Sequence, residues 1–366
     1  PFFPGWKICA GFEKWHKFSG IKKWENIEGV DVFHPRYFLL PGVSMWLHGF
    51  LMFLGTLNTA KRIIRRFDPD LIDAHYIYPD GFAAVLLGKI FKKPVIVSAR
   101  GKDVNLFTRL FVVRNMVRYT LRKADAIIAV SETLKSRLIE LGISGNKIKT
   151  VKNGIDPDKF YPIGKKSARE RLGLSPEAKM VIMVGNIQER KGQLEAVKAM
   201  KHMLEQGEET FLYMLGRRAE EGYFEKVVSC VSENNLQEHI KFGGSVHHDE
   251  LFKWYSAADV SCLISSSEGN PNAVLESLAC GTPVVVSDIP ENVEAAGNDN
   301  GIIVTREPAE IAKGLKKALA GEWDRTSIAR KGRERTWNNV SGELNALFGR
   351  VLRKAAQPRE ERQCTR

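Results

Sequence analysis

The sequence predicts an α/β protein of two domains, each a parallel sheet wound on both faces by helices. Three observations carry that expectation. At 366 residues the chain is too long for one ordinary core. From Pro69 onward, short β-branched runs alternate with amphipathic helical runs, as βαβ units require. After a polar stretch holding two prolines and a glycine, Asp156 to Ser167, the alternation starts again. The expected division is residues 1–160, then 161–336, with a last helical segment at 337–355 and a disordered polar tail at 357–366.

In the first half, PFFPGWKICAGFEKWHKF carries no initiator methionine, signal-peptide pattern or strand pattern, so the first domain is expected to lack its opening. Gly42 to Leu57 is the most apolar segment, yet it is shorter than the ~20 residues a bilayer span needs. Two readings stay open for it. One is a buried helix. The other is an apolar face entering an anionic membrane surface, since the basic KRIIRRF follows at Lys61 to Phe67. Strands are then expected at Asp70–Tyr76, Pro94–Arg100 and 124–131. The helices between and after them are expected at 81–91, Arg109–Arg122 and 132–142, and KIKTVKNGID closes the half. Ligands of such sheets gather at the C-terminal strand ends, where His75, Asp80, Arg100, Asp103, Ser131 and Asn153 lie.

In the second half, MVIMVG, TFLYMLG, DVSCLI and VVV read as strands, with IKFGGSV leading to the next helix. QLEAVKAMKHMLEQG, YFEKVVSCVSENN, HHDELFKWYSAA and PAEIAKGLKKALAG read as helices, and Ser327 to Ala355 as a final helical region.

The net charge of +12 is unevenly spread. Up to Pro162, 26 Lys and Arg face 14 Asp and Glu; beyond it both counts are 29. A basic half beside a neutral one points to different partners for the two. The five scattered cysteines include no C-x-x-C pair, which argues against a zinc site or a disulfide framework and favours a reducing, cytoplasmic setting. No zinc module or stacking-aromatic pattern accompanies the basic residues, so no nucleic acid partner is expected. Neither a G-x-S-x-G elbow nor a P-loop is present.

The most informative stretch is SSSEGNPNAVLESLACGTPVVVSD, Ser265 to Asp288. Glu268 and Gly269 fall in a polar loop. Asn270, Pro271 and Asn272 offer a cap and a proline at a helix start, and Glu276 lies just over one turn into the helix. Two carboxylates separated by seven residues can face one volume outside a helix N-terminus that suits an anion. Carboxylates accept hydrogen bonds from hydroxyls. Phosphates flanked by polyols satisfy both halves of the pattern, which describes a nucleotide sugar. Upstream, Gly185 and Asn186 follow a strand and Arg190 and Lys191 open a helix, a plausible diphosphate cradle. Gly216 and Arg217 follow the next strand.

The E-x7-E pattern with EGNP and GTPVVVSD resembles the group 1 (family 4) retaining glycosyltransferases, and the resemblance extends over nearly the whole chain. It implies the GT-B architecture: two Rossmann-like domains facing across a cleft, the last helix crossing back to the first. It implies a nucleoside diphosphate sugar as donor, held by the second domain. Lys191 would neutralise the leaving diphosphate, Glu268 would contact the transferred sugar and Glu276 the ribose. Asn186 stands where the family more often has Arg, so that role passes to Arg190. Arg218 replaces the second glycine of the turn near the base. In the first domain the resemblance places His75, Asp80, Arg100 and Asp103 on the acceptor side, with Arg100 where many members have His and Asp103 kept in place as a catalytic candidate beside Glu268 and Lys191. The acceptor would be a glycan or lipid-linked hydroxyl, in cell-surface or envelope polysaccharide or glycolipid synthesis.

No metal or other cofactor is expected. Asp68-Pro69-Asp70 and Asp156-Pro157-Asp158 fit turns better than a metal–nucleotide site, and His247-His248-Asp249-Glu250 fits a helix start. The rival readings are a sugar-nucleotide epimerase of the same architecture, or a degenerate nucleotide-sugar-binding protein.

Overall fold

The computed structural model describes residues 20–39, 45–105, 111–297 and 299–357. The expectations for the opening eighteen residues, for Gly42 to Ser44 and for the tail past Gln357 lie outside them. The chain divides into two compact units, one ending at Val151 and resuming at Glu343, the other Lys152–Gly342.

The first unit opens with a hairpin the sequence does not announce, β1 (Trp24–Ile27) paired antiparallel with β2 (Val30–Phe33). Its turn places both Glu28 and Gly29 at positive φ, and the Asn26 side chain accepts the Gly29 N–H at 3.0 Å. Glu in a left-handed position is uncommon, which is why ENIEGVDV carries no clear turn signal. Next comes a parallel sheet of β3 (Ile72–His75), β4 (Val95–Ala99), β5 (Ala126–Ala129) and β6 (Ile148–Thr150), in that spatial order. Helices cover both faces of such a sheet, so β4 is buried at every position. Ser131 caps helix Glu132–Glu140 by accepting the Leu134 N–H.

The apolar segment is a correction to the buried-helix reading. It continues through the basic run as one helix, His48–Phe67, in which Gly49 is the one buried residue. A Cβ on Gly49 would lie 2.8 Å from the Phe82 ring, so the glycine lets that side pack closely. Phe50 and Leu54 remain exposed, as do Met45 and Trp46 just before the helix.

In the second unit, among the described residues, β7 (Lys179–Val184), β8 (Thr210–Leu215), β9 (Ile240–Gly244), β10 (Val260–Leu263), β11 (Val284–Ser287) and β12 (Gly301–Val304) form one parallel sheet. The spatial order is β12-β11-β10-β7-β8-β9, the order of the doubly wound dinucleotide-binding fold. Chain direction across the sheet reverses between β7 and β10. Their C-terminal ends therefore form the crevice where such folds bind ligands. Val181, Val197, Met200, Val227 and Ile311 fill one face, and Ile182, Leu215, Phe252 and Tyr255 the other.

The polar stretch Asp156 to Ser167 runs at its end into a helix, Lys165–Leu172. The helix is fixed by Arg169, a fully buried cation. Its guanidinium donates to the carbonyls of Ala257 and Ser175 and to Asp259 Oδ2 at 2.9 Å. Asp259 also accepts the Met180 N–H, so one ion pair ties the helix to the starts of β7 and β10. The last helical region is two helices, Arg325–Gly332 and Trp337–Ala356. The second begins in the second unit, and its residues from Glu343 belong to the first.

Candidate active site

Three glycines shape the crevice. Gly185 and Gly216 end β7 and β8 at φ +150° and +155°, and a Cβ on Gly216 would stand 2.0 Å from the Gly185 carbonyl oxygen. Gly192 has φ +78°, and a Cβ there would stand 2.1 Å from the Ile264 oxygen. The loop after β7 thus lies backbone to backbone against the end of β10. Hydrogen bonds fasten the loops to each other. Ser266 N–H donates to the Arg190 carbonyl at 2.8 Å, and Arg190 Nη1 donates to the Ser267 carbonyl at 2.8 Å.

That fastening delivers Arg190, Lys191 and Glu268 to one place. Lys191 Nζ is 2.7 Å from Glu268 Oε1, and Arg190 Nη1 is 3.1 Å from Glu268 Oε2. Glu268 is 8% exposed and each oxygen faces its own cation. The Lys191 stem runs beside Gly185. A nearly buried carboxylate needs such partners. Two cations sharing one carboxylate leave the cluster with net positive charge, able to take a further anion. Asn186 fixes the neighbouring turn: its side-chain oxygen accepts Arg217 Nε at 3.2 Å and its carbonyl accepts Gln193 Nε2 at 3.1 Å.

Glu276 lies on helix Asn272–Ala279 and is nearly buried. Tyr255 Oη donates to its Oε2 at 3.0 Å, and His248 Nε2 approaches its Oε1 at 3.4 Å. The Glu276 hydrogen bond raises the His248 pKa above its ordinary value, against burial. Burial, foremost, raises the Tyr255 phenol well above its usual range, with Glu276 adding to it. The expected helix cap is corrected. Pro271 occupies the cap position without a side-chain bond. Asn270 Oδ1 instead accepts the Asn153 N–H at 3.2 Å, and Asn272 Oδ1 accepts Asn153 Nδ2 at 2.7 Å.

In the first unit, Asp103 is wholly buried. Its carboxylate accepts the N–H groups of Ile77 at 2.9 Å, Arg100 at 3.0 Å and Gly101 at 2.9 Å. That is the placement of a loop organiser, because no face is left for a substrate. Burial pushes its pKa up while those N–H bonds pull the other way. Arg100 Nη2 donates to His75 Nδ1, which assigns the imidazole proton to Nε2, facing Asp73 Oδ2 at 3.3 Å. Asp80 lies in the turn after β3, its pKa raised by burial.

Both D-x-D strings lie in turns. Asp68 ends its helix in the left-handed conformation and pairs with Lys93, and Asp156 accepts the Asp158 N–H. Sequence reasoning passed over Tyr255 and gave His248 no site role. Tyr255 looks like any apolar position of its helix, and nothing local ties either residue to Glu276.

The model for Glycosyl transferases group 1 matches residues 164–335, and that for Glycosyltransferase Family 4 matches residues 22–159. The chain carries the paired domains of the group 1 and family 4 glycosyltransferases. The chain is 27% identical over 267 residues to a putative teichuronic acid biosynthesis glycosyltransferase of Bacillus subtilis, covering 71% of this chain and 64% of the relative. The chain spans 48% and 64% of the length of the first two curated relatives it matches. Among solved structures it is similar to a sucrose-phosphate synthase of Thermosynechococcus elongatus (TM-score 0.78, 19% identity, 92% of this chain and 87% of that one). It is also similar to the Anabaena protein HepE in complex with UDP and glucose (TM-score 0.70, 18% identity, 81% and 82%). At these identities the likeness shows the fold: GT-B, with two Rossmann-like domains.

Proposed function

We propose that this protein moves a sugar from a nucleoside diphosphate sugar to an acceptor hydroxyl with retention of anomeric configuration. The convergence of Arg190 and Lys191 on the nearly buried Glu268, at the switch point of the second sheet, carries the reading. The diphosphate takes the two cations and the helix start beyond Glu268. Glu268, released from part of its pairing, accepts hydroxyls of the transferred sugar, and Glu276 accepts those of the ribose. Catalysis is electrostatic, by stabilising the leaving diphosphate as the glycosidic bond breaks. No protein nucleophile is assigned, so the leaving phosphate itself takes the acceptor proton on the same face.

The first unit takes the acceptor. Asp103 acts there as a positioning residue that holds the Arg100 loop, and His75 and Arg100 supply its polar surface. A lipid-linked or envelope glycan acceptor fits the exposed apolar start and basic end of helix His48–Phe67, which suit the inner face of an anionic membrane. Among the described residues, no helix is long and apolar enough to cross one. The comparisons do not favour the epimerase.

Titrating UDP-, GDP- and ADP-sugars by calorimetry tests the donor reading. One should bind, and Glu276→Gln should weaken it by ~1.5–3 kcal/mol. NMR of the product should show the donor's anomeric configuration. An inverted product refutes retention, and no binding by any of the donors refutes the function.

A further inference from the structure

We infer that Glu276 is held by two unlike partners: Tyr255, a permanent anchor on Oε2, and His248, an occupant of Oε1 that the donor's ribose hydroxyl displaces. The inference rests on the proposed ribose role of Glu276. Tyr255 is fully buried, its hydroxyl donates at 3.0 Å, and its carbonyl in turn accepts the Thr282 hydroxyl. Its raised pKa keeps it a donor at every working pH. The oxygen it grips is fixed in place, which aims the other. That other oxygen meets His248 at 3.4 Å, a long contact from a side chain that is 56% exposed. One oxygen is therefore locked and the other exchangeable.

The exchange depends on protonation. His248 faces Glu276, the Phe160 ring at 4.9 Å between centroids, Lys159 and Asp249, while Lys159 is drawn off by its own 3.0 Å pair with Asp249. The other titratable groups facing Glu276 are Tyr255 and the Cys280 thiol, both kept neutral by burial. Because His248 titrates above its ordinary value when paired, the His248–Glu276 contact is fully made on the acid side and fades as pH rises through that value. A ribose hydroxyl competes with a charged donor at low pH and with a weaker neutral one at high pH. His248 is thus a residue that sets donor affinity without contributing to the chemistry, and Tyr255 is a positioning residue.

The test uses whichever of UDP, GDP or ADP binds most tightly, beside its 2′,3′-dideoxy counterpart, on the full chain. His248→Gln should bind the ribonucleotide about threefold or more tighter than wild type near pH 6, and equally near pH 8. The diphosphate's own titration is common to both proteins and cancels in that ratio. The dideoxy ligand should show no such gap. Tyr255→Phe should lose about tenfold in ribonucleotide affinity with the dideoxy ligand unchanged, whereas a purely structural role would lower both alike. Wild type binding the two ligands equally overturns the ribose role of Glu276, and with it this inference. Wild type that distinguishes them, but whose pH profile His248→Gln leaves unaltered, overturns the displacement alone. No binding by any of the three diphosphates overturns the proposed function and this inference together.

Discussion

Lys191→Ala is the sharpest test of the diphosphate cradle. Lys191 Nζ sits 2.7 Å from Glu268 Oε1, with its side chain 13% exposed, so its charge acts in a partly water-excluded setting. A hydrogen bond from such a cation to a phosphate oxygen contributes ~1.5–3 kcal/mol, roughly ten- to 150-fold in dissociation constant. The loss should fall toward the upper end. Without Lys191, Glu268 keeps Arg190 alone at 3.1 Å, and the cluster no longer carries surplus positive charge to greet the anion. Folding should be little affected, because Glu268 retains that cation and the backbone bonds of the loop do not involve the lysine side chain. Calorimetric titration with a nucleoside diphosphate and the matching nucleoside, at one ionic strength, separates the contributions. The diphosphate should weaken by the stated factor and the nucleoside by less than about twofold. Equal losses for both ligands would mean that Lys191 shapes the loop and does not bind phosphate.

Three further outcomes follow from the geometry. Gly192→Ala forces a Cβ to 2.1 Å from the Ile264 oxygen in a left-handed backbone; it should cost roughly 1–3 kcal/mol in a denaturation experiment and lower diphosphate affinity by displacing Lys191. Arg169→Met leaves Asp259 with Lys165 as its remaining cation and removes the guanidinium from the Ala257 and Ser175 carbonyls; it should lower unfolding stability by ~1.5–3 kcal/mol, read from the urea midpoint. Replacing Lys61, Arg62, Arg65 and Arg66 with Gln should release the protein from anionic vesicles at low salt, each cation having contributed about 1 kcal/mol; wild type that ignores such vesicles removes the membrane reading.

The doubly wound core was legible because its signals are local. Strands such as Val95–Ala99 and Val284–Ser287 are continuous β-branched runs, and helices such as Gln193–Glu205 keep one apolar face. What escaped was either atypical in its local residues or dependent on contacts far apart in the chain. The β1–β2 turn uses a left-handed Glu. β12 was unannounced because it is a short edge strand, partly exposed, with little more than Ile302, Ile303 and Val304 to mark it. Arg169 looked like one charge among many in KKSARERL, and only the fold brings Asp259 to it. At the site, the E-x7-E spacing marked Glu268 and Glu276, but not that one would meet two cations and the other a buried phenol. Asp103 shows the reverse error. Its place in the motif suggested contact with a ligand, whereas the structure turns its carboxylate inward onto three backbone N–H groups.

The unequal charge of the two halves now has a physical reading, and it leads to a last test. In the second unit, the cations closest to the crevice already have partners: Arg190 and Lys191 share Glu268, and Arg306 pairs with Glu195. Such a site takes its anion by exchanging partners at contact distance, which salt screens little. On the proposed reading it also gives the product a way out, since Glu268 would recover both cations as the diphosphate leaves. Lys61, Arg62, Arg65 and Arg66 differ: they are exposed and, among the described residues, show no ion pair. On the membrane reading proposed above, their attraction to an anionic surface would act across water and fade as the Debye length shrinks from ~30 Å at 0.01 M to ~8 Å at 0.15 M salt. Across that range vesicle binding should collapse while nucleoside diphosphate affinity changes by only a few-fold. A nucleotide affinity that fell as steeply as vesicle binding would show that the donor site works through the long-range field, and that internal pairing with Glu268 does not govern it.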